Sequence, residues 1–206
     1  KEAYEDGDAD FHTIVAKMAD IPRSAAKTIN LGLFYGMGKA KLQAELGVSK
    51  DKAEELFSIY HNRVPFVKSL TKSVSNRAQQ RGQIRTLLGR LCRFHLWEPN
   101  TFGMHKALPF EQAVQEHGPG IKRAYTYKAL NKLIQGSAAD MTKKSMLDLY
   151  KEGIVAHIQI HDELDVSVES PEQAKKIVEI MENAVKLEIP NKVDYESGKN
   201  WGTIND

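Results

Sequence analysis

Apolar and polar positions change period several times along this chain, and each change marks an element. Near the amino terminus Asp8-Ala9-Asp10-Phe11-His12 leads into an apolar stretch ending at about Asp20, which predicts a short helix. Pro22 suits the first turn of a second helix, where no N–H is needed, with Asp20 upstream as a cap. Gly36 and Gly38 end that helix. A third begins at Ser49, a good N-cap, and stops before Pro65. Residues 66–81 read as a fourth. From Gly82 to Arg93 the pattern is extended, with a turn at Gly89. Residues 98–120 are rich in Pro, Gly and His and show no period, so the region near 94–120 reads as an irregular insertion.

Tyr125 to Tyr150 has the spacing of a long amphipathic helix, and its Gly136, Ser137, Ala138 and Ala139 let another element approach closely. Residues 154–160 and 164–168 alternate as a β-hairpin with its tight connection at Asp162-Glu163. Ser170-Pro171-Glu172 opens a helix to about Glu188, and a short strand is expected near Val193. The result is an α+β chain, mostly helical, with a small antiparallel sheet.

Composition adds limits. The 206 residues are 41% hydrophobic, enough for one large or two small cored domains, and 27% charged. No apolar run approaches the ~20 residues that cross a bilayer, and Cys92, the one cysteine, excludes an intramolecular disulfide. Both fit a cytoplasmic protein. The chain opens Lys1-Glu2-Ala3-Tyr4 without Met, as a piece of something longer would.

The net charge of +2 hides an asymmetry. Residues 150–206 hold 12 acidic and 6 basic residues, a net of −6, so residues 1–149 carry +8. Between Lys68 and Arg93 stand seven basic residues and no acidic one. A stripe of one sign attracts polyanions, although an ordinary solvated face fits the charge count equally well.

Three constellations carry chemistry. Arg23, Lys27, Leu31 and Tyr35 lie four apart, so they climb one side of a helix with a drift of about 40° per step. The two cations suit a polyphosphate, and Tyr35 offers a flat surface for a base. At the hairpin, Gln159-Ile160-His161-Asp162-Glu163 crowds carboxylates onto a tight turn, where they can bind a hard divalent cation through oxygen. Asn131 and Gln135, one turn apart on the long helix, can donate to base edges or sugars.

Together these strings resemble the family A (DNA polymerase I-type) DNA polymerases, with a bacteriophage source expected. The resemblance runs from about residue 8 to Glu196-Ser-Gly-Lys-Asn-Trp201 and is weakest over 94–120. It implies a partial right-hand polymerase fold, with helical fingers at 1–81, including a nucleotide-binding helix at 23–36, and the carboxy-terminal palm at 82–206. By resemblance, Arg23, Lys27 and His12 hold the incoming triphosphate, Leu31 touches its sugar, and Tyr35 sits beside the templating base. Asp162 becomes a metal-binding carboxylate, supported by Glu163, with His161 and Gln159 at the primer end. Asn131 and Gln135 then grip the minor groove, and Arg81, Arg85 and Arg90 meet the DNA backbone.

The chain departs from the family pattern at two positions. Leu31 stands where Phe or Tyr is usual, and Tyr127 where an arginine often precedes the asparagine by four residues. The implied cofactor is Mg²⁺, as two ions, and the implied partners are primer–template DNA and deoxynucleoside triphosphates. A further expected partner is an upstream polymerase fragment carrying the thumb and the other catalytic aspartate, without which this chain is expected to be inactive. A non-catalytic nucleic-acid-binding module and a metal-dependent nuclease are the rival readings of the same residues.

Overall fold

A computed structural model describes residues 10–19, 21–34, 37–63, 65–101 and 103–203. Its contacts gather into two compact units, one spanning Asp10–Gly136 and the other containing the described residues from Ser137 onward. The sequence reading put its boundary at residue 81, at the end of a helix. The contact units follow a different division, which keeps that helix with the strands after it and falls within a later, long helix, and it leaves the fingers–palm boundary open.

In the first unit five helices follow one another: α1 (Phe11–Ala19), α2 (Arg23–Phe34), α3 (Lys39–Leu46), α4 (Lys50–Arg63) and α5 (Pro65–Arg81). Ser49 caps α4 as its sequence predicts, its hydroxyl accepting from the Lys52 N–H at 3.2 Å. Helix α3 has no counterpart in the sequence reading. Its one buried residue is Leu42, so no apolar stripe announces it, and it ends at Gly47 with φ 62°. Val15, Ala16, Ala26, Ile29, Leu42, Leu56, Tyr60 and Val67 form the core of these helices.

Helix α5 turns Val67, Val74 and Ala78 inward and leaves Lys68, Lys72, Arg77 and Arg81 exposed. The first four cations of the basic stripe therefore lie on a solvent-facing surface of this helix. A second core joins Val74 and Ala78 to Ile84, Phe94, Ala129 and Leu130.

After α5, strands β1 (Gln83–Arg85) and β2 (Leu91–Arg93) pair antiparallel, with Ile84 opposite Cys92. The segment expected to be irregular is ordered. Strands β3 (Leu96–Pro99), β4 (Leu108–Pro109) and β5 (Ile121–Arg123) form a sheet in the order β4-β3-β5, and α6 (Phe110–His117) follows β4. Strands of two to four residues are too short to show a period, and Pro and Gly at their edges mimic a loop. Side-chain packing holds them. Trp97 lies between the Arg123 guanidinium, 4.5 Å from its ring centroid, and the Phe110 ring at 5.0 Å. Arg123 Nη1 also donates to the Phe94 carbonyl at 2.9 Å.

A 3₁₀ turn (Thr126–Lys128) leads into α7 (Ala129–Lys151), so the long helix starts four residues later than predicted. In the second unit β6 (Ile158–Ile160) and β7 (Glu163–Asp165) pair antiparallel, and α8 (Pro171–Asn183) follows. The Ser170 hydroxyl caps α8 by accepting from the Gln173 N–H at 3.2 Å. Leu149, Ile154 and Ile177 are the core here, with Leu164, Val166, Ile180 and Met181 packed on it.

Both hairpin strands are shorter than their alternation suggested, and α8 ends at Asn183 rather than near Glu188. No strand forms near Val193 among the described residues. Side chains satisfy the backbone there instead: Glu182 Oε1 accepts from the Val193 N–H at 3.1 Å, and Asn191 Nδ2 donates to the Val185 carbonyl at 2.8 Å.

Candidate functional site

Helix α2 separates its residues cleanly. Ala26, Ile29 and Asn30 are buried, while Arg23, Lys27 and Leu31 are exposed. The four-residue spacing read from the sequence thus becomes one solvent-facing stripe with two cations on it. Tyr35, the fourth member, lies outside the described residues.

Helix α1 supplies the supports. Asp10 caps it, one carboxylate oxygen accepting from the His12 N–H at 2.9 Å and the other from the Thr13 hydroxyl at 2.7 Å. The same carboxylate takes a hydrogen bond from Arg23 Nε at 2.5 Å. The Thr13 hydroxyl first, then Arg23, holds the Asp10 carboxyl well below its ordinary range. His12 is fixed by its ring, whose Nδ1 is hydrogen-bonded to Asn30 Nδ2 at 3.0 Å. Asn30 is 1% exposed and was not singled out in the sequence. Its signal was there, a polar residue on the buried side of α2.

The acidic bend differs from its expected geometry. Ile160 pairs with Glu163, so the two turn residues are His161 and Asp162, and Glu163 is the first residue of β7. Alternation finds strands but not the exact closing pair. His161 takes φ 52°, a conformation that hairpin turns normally give to Gly or Asn. The Gln159 amide donates to the His161 carbonyl at 2.6 Å and so braces the bend. His161, Asp162 and Glu163 are all exposed.

The pairing register places Gln159 and Leu164 on one face of the hairpin and Ile158, Ile160, Glu163 and Asp165 on the other. Leu164 packs on the core of this unit, whereas Ile158, on the opposite face, is 43% exposed. Two exposed carboxylates are the right kind of donor for Mg²⁺ but too few for a site. Among the described residues no group of three or more His, Cys, Asp or Glu is arranged to hold a metal ion.

The sequence model of DNA polymerase family A matches residues 1–203. This chain belongs to that family. The chain is 32% identical to a DNA-directed DNA polymerase of Pseudomonas phage M6 over 96% of its own length and 32% of the relative's. It is also 32% identical to the thermostable DNA polymerase I of Thermus filiformis, over 87% of the chain and 20% of that protein. Among solved structures it resembles the POL domain of Pol1 from M. smegmatis, in complex with DNA primer-template and dNTP. There the TM-score is 0.70 and the identity 28%, covering 92% of this chain and 33% of that one. The chain therefore spans between a fifth and a third of the length of these relatives.

The remaining family positions sit on the hairpin and helix of the first unit. Arg85 Nη1 donates to the Gly89 carbonyl at 2.9 Å and tightens the β1–β2 turn. Arg90 Nη2 donates to the Gly136 carbonyl of α7 at 2.7 Å, and a Cβ at Gly136 would come 2.8 Å from Thr86 Cγ2. The small residue read from the sequence is thus where this hairpin meets the helix. Arg81 is exposed at the end of α5, Asn131 is half-buried and Gln135 exposed on α7. No helix among the described residues is long and apolar enough to cross a membrane.

Proposed function

We propose that this chain supplies the nucleotide-binding part and one metal-binding carboxylate of a DNA-directed DNA polymerase, and is completed by residues outside it. The observation that carries the reading is the exposed Arg23–Lys27–Leu31 stripe on α2 in a chain that matches family A from residue 1 to 203. The relatives named above are called DNA polymerases, and one is solved with primer–template and nucleotide.

In this reading Arg23, Lys27 and His12 bind the triphosphate, Leu31 meets the sugar and Tyr35 lies beside the template base. His161 and Gln159 touch the primer end, Asn131 and Gln135 the minor groove, and Arg81, Arg85 and Arg90 the DNA backbone. Asp162 would be a ligand of the divalent cations, with Glu163 supporting it. Bound there, two magnesium ions would supply Lewis-acid activation of the primer 3′ hydroxyl and neutralisation of the triphosphate. The primer 3′ oxygen attacks the α-phosphorus in line, the bond to the β-phosphate oxygen breaks, and pyrophosphate leaves. Lys27 and Arg23 offset the charge on that leaving group. The strained backbone of His161 suits a residue kept for contact rather than for turn formation.

The exposed Ile158 on the outer face of the hairpin supports a sheet that is extended by residues outside it, as an upstream palm would do. Primer extension with Mg²⁺ tests the proposal. The chain alone is expected to give no synthesis, and a polypeptide carrying the upstream palm and thumb is expected to restore it. Robust synthesis by the chain alone would overturn its incompleteness. DNA binding without synthesis in any combination would favour the non-catalytic module.

A further inference from the structure

Between β5 and α7 the chain passes through Ala124, Tyr125, Thr126, Tyr127, Lys128 and Ala129, and this short link is anchored at three points. Ala124 and Ala129 are 1% and 0% exposed, and the Ala124 N–H donates to the Leu96 carbonyl at 2.8 Å. In the middle, the Thr126 hydroxyl hydrogen-bonds the Gln79 side chain on α5 at 3.3 Å. The Lys128 N–H closes the turn onto the Tyr125 carbonyl at 2.9 Å. Between these anchors the two tyrosines face solvent, Tyr125 at 39% and Tyr127 at 62% exposure.

Two features separate them from ordinary surface tyrosines. Tyr125 holds φ 61°, where a bulky side chain is strained and Asn or Gly is at ease. Such strain persists where the surrounding structure enforces it, and it clusters at ligand-binding sites. The Lys128 ammonium also serves both rings, 5.2 Å from the Tyr125 centroid and 5.6 Å from that of Tyr127. One turn further along, the Lys132 ammonium lies 4.9 Å from the Phe94 ring.

We infer that Tyr125, Tyr127 and Lys128 form a stacking platform for an unpaired nucleobase of single-stranded DNA. Aromatic faces beside cations are the combination that binds single strands, because every base offers a π-face and every nucleotide a phosphate. The anchored backbone means that little freedom remains to be lost on binding. The inference rests on the proposed function only in taking DNA as the polymer, and it adds a different ligand, an unpaired base.

Fluorescence anisotropy of a labelled oligothymidylate on this chain tests it, beside an abasic oligonucleotide of equal length and a blunt duplex. The thymidylate is expected to bind more tightly than the abasic strand. Tyr127→Ala should weaken thymidylate binding about tenfold and leave the abasic strand unaffected, whereas Tyr127→Phe should bind as the parent. Tyr125→Asn should lose the base preference while melting no earlier than the parent, since it relieves the backbone. A merely structural tyrosine would not do that. Lys128→Ala should weaken both strands alike and lower the slope of log affinity against log salt by about one. Equal affinity for thymidylate and abasic strands, or Tyr127→Ala binding as the parent, would overturn the platform. If duplex binding survives that result, the polymerase reading stands; if no DNA binds at all, the platform fails, and the polymerase reading is decided by primer extension with the upstream polypeptide present.

Discussion

On α1 and α2, Arg23 and His12 come with their supports, whereas at the β6–β7 bend the carboxylates stand in the open. Arg23 has Asp10, and His12 has Asn30, which reaches it from the buried side of α2. Around Asp162 and Glu163 the described residues offer a braced turn but no group of three or more His, Cys, Asp or Glu arranged to hold a metal ion. A polyphosphate clamp can be built from neighbouring helices alone. In the proposed reading the metal site also takes carboxylates from outside this bend, so the two regions should respond differently when this chain is assayed by itself.

The largest effect expected follows from that contrast. In the completed enzyme Asp162→Ala should lower the rate of primer extension by on the order of 1,000-fold or more, with DNA affinity retained. Rapid-quench single-turnover kinetics and an electrophoretic binding assay read the two quantities. Turnover at the parent rate would remove Asp162 from the metal site and leave the bend as an acidic turn.

Lys27→Ala should cost less, on the order of 100-fold in kcat/KM for the incoming nucleotide. The loss should be shared between KM and kcat if the ammonium gains importance as charge develops on the leaving group. The isolated chain offers a second readout, since the proposed nucleotide clamp on α2 draws on no residue of the bend. Should Lys27→Ala leave nucleotide protection of α2 against proteolysis unchanged, the preformed clamp is the wrong description of this region.

Asn30→Ala sharpens the comparison from the side of the supports. It removes the hydrogen bond between Asn30 Nδ2 and the His12 ring and leaves a gap where a buried side chain stood. A loss of about 1–3 kcal/mol is expected. Amide hydrogen exchange of α1 and α2 localises the effect to these helices, which a melting curve shared by two compact units does not. Faster exchange confined to these helices is the expected outcome. Exchange at the parent rate would mean that the Asn30–His12 contact contributes nothing to their order.

What could be read from the sequence divides along similar lines. The exposed stripe of α2, the caps at Ser49 and Ser170 and the close approach at Gly136 each depend on local spacing or on one residue's chemistry, and they were legible. The β3–β5 sheet was not, because its strands are too short for a period and its stability lies in Trp97, Arg123 and Phe110, which are far apart in sequence. The bend was located correctly but closed one residue late, since alternation is blind to which pair ends a hairpin. Asn30 was passed over because a buried polar residue shows its purpose only when its partner, 18 residues away, is seen beside it. Tyr35 lies outside the described residues, so its place beside a template base rests on resemblance.

The smallest effect concerns the pair that ties the clamp to its support. Asp10→Asn keeps an N-cap on α1, because Asn caps nearly as well as Asp, but it removes the negative charge beside Arg23. Triphosphate affinity should therefore rise slightly at neutral pH, a few-fold at most, since an exposed ion pair is well screened by solvent. The stability effect has a definite sign in pH. The Asp10 carboxyl is held below its ordinary range in the folded chain, so its contribution is complete above the unfolded value of about 3.9. That contribution fades as pH falls toward the lower, folded value. The parent's advantage over Asp10→Asn in thermal melting should thus be constant from neutral pH down to about pH 5 and should shrink only below about pH 4. An advantage that disappears already near pH 6 would show that Asp10 is not the group responsible. An unchanged triphosphate affinity would show that Arg23 leaves Asp10 at no cost when nucleotide arrives.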